Sequence, residues 1–171
     1  EYSLVRARAA MNIPMSESLA ARVSFQTNKH DGFSDNVSNG QDLDDADSVS
    51  ARIKFLYQAT DTFSATFTAQ MFDEDVNGQA QKGIYDPTPG ARNLAQDSLS
   101  VYDLNSQLYS MTLEWELENF SLKSMTSYQE DDILIRRDND RHDATTLPPF
   151  FMLKNYFDPE TNLQKTVTQE F

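Results

Sequence analysis

Cysteine is absent from the 171 residues, which excludes a disulfide framework, a zinc–thiolate site and a cysteine nucleophile. The absence suits a chain that crosses an oxidising space without needing bridges, although cytosolic chains can lack cysteine too. No run of about eighteen apolar residues occurs, so a transmembrane helix is excluded. A transmembrane barrel is not, because each of its strands is only half apolar. Positive charge is scarce as well: 14 Lys and Arg stand against 27 Asp and Glu, a formal charge of -13. That balance argues against nucleic acid or an anionic membrane surface as partner, and it predicts acidic, solvated loops. The two histidines, His30 and His142, lie far apart with no ligand partner at recognisable spacing. There is no nucleophile elbow, phosphate loop, zinc-protease helix motif or acid–base carboxylate pair beyond two strand glutamates, Glu114 and Glu116. No catalytic residue, metal or resident cofactor is expected.

What the chain does have is polarity alternating with a period of two. Val49, Ala51, Ile53, Phe55 and Tyr57 alternate with Ser50, Arg52, Lys54, Leu56 and Gln58; Ala59–Thr62 turns the chain. Phe63, Ala65, Phe67, Ala69 and Met71 then alternate with Ser64, Thr66, Thr68, Gln70 and Phe72. One face of this hairpin is wholly apolar and the other mostly polar. Two further hairpins follow the same rule. The first pairs Leu4–Ile13 with Leu19–Lys29 around Pro14 and a Met15–Ser18 turn. The last pairs Gln107–Leu117 with Phe120–Glu130 around Glu118-Asn119, and Lys165–Phe171 begins a seventh strand. Long polar connections separate the hairpins: His30–Ser48, Asp73 to about Asn105, and Asp131–Asn162, which holds Pro148-Pro149 and Asp158-Pro159.

Loops beyond about twelve to fifteen residues are uncommon in compact soluble domains. Here three alternate with short turns, the asymmetry of an outer-membrane barrel with strands of about nine to eleven residues. Turning the strands over would put Arg22, Arg52 and Lys54 into lipid, at a cost on the order of 6–12 kcal/mol. The apolar faces are therefore expected to meet lipid and the charged faces the lumen, with Glu114 and Glu116 on the lumen side. Tyr57, Phe63, Trp115 and Phe120 cluster at the short turns as an interfacial girdle. The fold class expected is all-β: an antiparallel transmembrane β-barrel, partial, with residues 1–171 forming one incomplete barrel domain. The chain opens on Glu1-Tyr2-Ser3-Leu4 and closes within a strand at Phe171, which reads as a piece of a longer protein with any export signal upstream.

Several stretches resemble the barrels of TonB-dependent outer-membrane receptors. These are Asn12–Arg22, His30-Asp31-Gly32-Phe33 followed by Asn36, Ser50–Phe55 with Thr60-Asp61, Ser121–Tyr128, and Thr168–Phe171. The resemblance implies a barrel of about twenty-two strands, of which some seven are present, enclosing a plug domain. It implies uptake of a scarce solute, a ferric siderophore or similar chelate above all, powered through the plug by the inner-membrane TonB system. Partners would be that system, outer-membrane lipid and lipopolysaccharide, and a small solute, at the outer membrane of a Gram-negative cell. The alternatives are a small barrel or passive porin, supported by the aromatic Phe171 at the end, and a soluble carbohydrate-binding β-sandwich.

Among candidate site residues, Asp42, Asp44, Asp45 and Asp47 have the charge for calcium but not the EF-hand spacing, and read better as a solvated acidic loop. Arg136, Arg137 and Arg141, interleaved with Asp138, Asp140 and Asp143, are the candidates for an external ligand bearing carboxylates or phosphates. Mutual salt bridging among these loop residues is the competing expectation.

Overall fold

A computed structural model of the chain describes residues 2–145 and 160–171. Among them there are ten strands and no helix: Val5–Pro14 (β1), Leu19–His30 (β2), Ser34–Asn36 (β3), Gln41–Leu43 (β4), Ala46–Thr60 (β5), Phe63–Val76 (β6), Asn93–Leu94 (β7), Val101–Glu116 (β8), Ser121–Arg136 (β9) and Glu160–Glu170 (β10). Seven form one sheet in the order β1-β2-β5-β6-β8-β9-β10, every neighbouring pair antiparallel. This is the expected meander. It is an open sheet, with β1 and β10 as its edges.

Register carries the alternation of single strands across the whole sheet. Met11 faces Val23, Val23 faces Ile53, Ile53 faces Ala69, Ala69 faces Tyr109, Tyr109 faces Tyr128 and Tyr128 faces Val167. A parallel row runs Ile13, Ala21, Phe55, Phe67, Met111. From β1 to β8 this apolar face is about 19 Å wide and about 27 Å tall, on the order of 500 Å² in projection. Its large side chains are not covered: Met11 is 60% exposed, Met111 47% and Trp115 48%. A continuous apolar patch of that size is often functional.

The strands run further than the apolar band. β5 starts at Ala46 and not Val49, β6 ends at Val76 and not Phe72, β8 starts at Val101 and not Gln107, and β9 ends at Arg136 and not Glu130. β10 likewise starts at Glu160, ahead of the expected Lys165. Beyond the band the polarity of the two faces inverts. Asp73, Asp75, Asp103 and Asn105 continue the previously apolar face and are exposed. Phe72, Val76, Tyr102, Leu104, Ile133 and Ile135 continue the previously polar face and are half-buried.

The connections expected to be structureless are partly built. Segments of the first two, β3, β4 and β7, form a second sheet in the order β4-β3-β7, with β3 and β7 parallel. The molecule's dry core lies here: Leu43, Leu94 and Ala95 are at most 4% exposed, and in the large sheet only Ala21 is a comparably buried apolar residue among those described. Gly32 is required for this packing, because a Cβ there would sit 2.6 Å from the Leu43 carbonyl oxygen and 2.7 Å from the Asp42 Cβ. Of the third connection, Pro148-Pro149 and Asp158-Pro159 lie outside the described residues.

Candidate functional site

Two regions of the molecule have the makings of a site: the cap at the loop end and the polar face of the large sheet. In the cap, carboxylates and amides hold the backbone. Asn36, 1% exposed, mimics a strand residue: its Nδ2 donates to the Gln96 carbonyl at 3.0 Å and its Oδ1 accepts from the Gln96 amide at 3.0 Å. Asp44 accepts from the Ala80 amide at 3.0 Å, and Asp45 from the Asn77 amide at 2.9 Å, tying the first loop to the second. Asp86 bridges the Thr88 and Ala95 amides. Burial opposes its charge, but bonds from Thr88 and Ala95 outweigh this and lower its pKa. Burial raises the pKa of Asp45. The acidic segment is thus structural as much as solvated. Its aspartates are dispersed, Asp47 pairing with Lys29, and no group of three or more carboxylates or histidines suited to a metal occurs among the described residues.

The arginines singled out from the sequence separate in space. Arg136 and Arg137 line a cavity of about 540 Å³ between the cap and the loop ends of β6, β8 and β9, together with Asp44, Asp45, Glu74, Tyr102 and Asp138. Arg137 Nε donates to Asn139 Oδ1 at 3.1 Å. Arg141 does not line this cavity; its backbone is in the left-handed region at φ 59° and its side chain is exposed. The cluster's carboxylates mostly cap backbone amides. Asp138, 3% exposed, accepts from the amides of Arg141 at 2.8 Å and Ser98 at 3.3 Å. Its burial and the neighbouring Asp140 carboxyl push its pKa up to about 7. His142 is buried beside Gly83, where a Cβ would fall 2.5 Å from the imidazole Cε1. A cavity that mixes two arginines with several carboxylates gives a weaker anion site than the arginine run suggests.

The polar face of β1, β2 and β5 is different. Arg6, Arg8, Arg22, Arg52 and Lys54 share it, and no Asp or Glu does. Arg22 and Lys54 are direct register partners, a like-charge juxtaposition that costs on the order of 0.2–1 kcal/mol. Three of the arginines are held by neutral amide oxygens: Arg6 by Asn28 at 3.1 Å, Arg22 by Asn12 at 2.9 Å and Arg52 by Gln70 at 2.8 Å. These bonds aim the guanidinium groups without neutralising them. Elsewhere in the sheet cations face carboxylates across the strands: Lys123 pairs with Glu114 at 2.7 Å and Lys165 with Glu130 at 3.3 Å, both between register partners. The sequence signal for the cation strip was present in Arg6, Arg8, Arg22, Arg52 and Lys54 at alternate positions, but only the register shows that they converge.

At the turn end, Phe63 and Trp115 meet edge to face with ring centroids 6.2 Å apart, and Phe120 is exposed within the next turn. At the loop end, Phe33 stacks on His30 at 4.6 Å and meets Tyr2 edge-on at 4.7 Å. No family model, no curated protein and no solved structure matches this chain.

Proposed function

We propose that this chain is part of the transmembrane barrel of an outer-membrane receptor of the TonB-dependent kind, serving transport and not catalysis. The observation that carries the reading is the apolar band. On β6 it runs from Phe63 to Met71, then stops at Asp73; on β5 it runs from Tyr57 to Val49, then stops at Asp47. Nine residues is the span of a tilted transmembrane strand. Aromatic residues border the band at its turn end, as at a lipid interface. The exposed β1 and β10 edges also favour a larger closed sheet, since unpaired backbone groups in hydrocarbon cost several kcal/mol each. Outer-membrane lipid would cover the apolar face, lipopolysaccharide would surround the loop end, and the TonB system would act through a plug domain elsewhere in the parent protein. The solute would be a scarce small molecule such as a ferric siderophore.

The 171 residues hold no cysteine, so a thiol placed among them reports orientation once any cysteine elsewhere in the full-length protein is replaced. In the full-length protein expressed in its cell, Ile84→Cys at the loop end should react with a membrane-impermeant maleimide on intact cells. Asp61→Cys in a short turn should react only after permeabilisation. Equal labelling of both on intact cells, or fractionation of the protein away from the outer membrane, would refute the barrel. Loss of uptake on collapsing the proton-motive force separates the energised receptor from a passive porin.

A further inference from the structure

We propose that the polar face of β1, β2 and β5 binds a small anion carrying two or more carboxylate or phosphate groups. As cargo, that anion would define the chemical class of the transported solute, and this part rests on the receptor reading. The binding itself does not.

The argument begins with charge. In a chain of net charge -13, five cations gather on one face of three adjacent strands, and none is in an ion pair among the described residues. Solvated lysines would serve equally well if the face needed only to be polar. Instead four of the five are arginines, and Asn12, Asn28 and Gln70 hold three of their guanidinium groups. A guanidinium fixed in this way keeps donors for a bidentate contact with carboxylate or phosphate. Spacing sets the valency. Arg22 and Lys54 stand one strand apart, about 5 Å, and Arg52 lies one pleat repeat along β5 from Lys54, about 7 Å. One anionic group can be reached from each, so a multiply charged ligand gains over a singly charged one. The surface also has a concavity, about 350 Å³, between Arg8 and Arg52 and floored by Ser24, Gln26 and Ser50. That volume is at the lower end for a small-molecule site. Four of the chain's acids, Asp44, Asp45, Asp86 and Asp138, are engaged with backbone amides in the cap and not with this face.

The test is calorimetric titration of the full chain in detergent micelles with tripolyphosphate at about 150 mM salt, where diffuse attraction is screened. Saturable binding is expected. Replacing Arg8, Arg22 and Arg52 together by Gln should weaken it at least about tenfold, the loss of one good charge-assisted contact or more. The pair Glu114→Gln and Lys123→Gln, on the same face but on β8 and β9, away from the cation strip, should leave it within about twofold. Should the triple variant lose its β-sheet circular dichroism, Arg52→Gln alone replaces it, with a weakening of the same sign required. Absence of saturable binding by the unaltered chain, or equal affinity in the arginine variants, overturns the proposal. The two readings fail separately. Binding by a chain that stays monodisperse without detergent would leave the anion face standing and remove the barrel; membrane insertion without binding would do the reverse.

Discussion

The cap and the large sheet obey opposite rules. The cap buries Leu43, Leu94 and Ala95 and satisfies its polar groups internally, with Asn36 and the loop aspartates taking backbone amides. The sheet leaves Met11, Phe67, Met111 and Trp115 more than two-fifths exposed although its seven strands are paired in one continuous antiparallel order. A protein able to build the first could have covered the second. The proposed barrel accounts for the difference: the two regions would meet different surroundings, the sheet's apolar face, uncovered among the described residues, meeting lipid.

The strongest way to break this comparison is to unpack the cap. Leu43→Ala should cost the cap about 2–5 kcal/mol and speed exchange at the Phe33 and Val37 amides, with the large-sheet amides unchanged. Equal loss in both regions would make them one cooperative unit. Next is a charge on the apolar face: Ile53→Lys should cost about 2–4 kcal/mol of folding into lipid vesicles, whereas Ser110→Lys on the polar face should cost far less. A smaller effect concerns Asp138, whose folded pKa of about 7 lies above its ordinary 3.8. Between those values the folded cap holds a proton that the unfolded chain has released, so local stability falls as pH rises through that window. Hydrogen exchange near residues 137–145 should therefore be slower at pH about 5 than at pH about 8 once intrinsic rates are removed, and Asp138→Asn should flatten the difference. The smallest effect is at the half-exposed Glu114–Lys123 pair, where neutralising both partners should change stability by less than about 1 kcal/mol in a denaturation series.

The meander and its order were legible because Val49–Met71 and its two sister hairpins keep one polarity per face over the length of the band. The strand ends were not. Past Met71 the alternation continues with its sign reversed, Phe72 and Val76 against Asp73 and Asp75, so following a single apolar face stops too early. The reversal follows from the cap, which closes over that end of the polar face and changes what is buried. The small sheet was invisible for a different reason: β3 and β7 are three and two residues long and paired in parallel across more than fifty residues of chain. No local pattern reports such a contact. The arginine run 136–141 was visible, but not that Asp138 and Asp140 beside it cap backbone amides. The better cation cluster was scattered along three strands and needed the register to assemble it.

The chain's one tryptophan, Trp115, sits at the turn end of the apolar face, which makes it a direct probe of what covers that face. The account predicts that lipids brominated along the acyl chain quench its fluorescence in vesicles, more strongly with bromine near the headgroup than near the bilayer centre. A folded chain whose Trp115 emission is untouched by brominated lipid would contradict it.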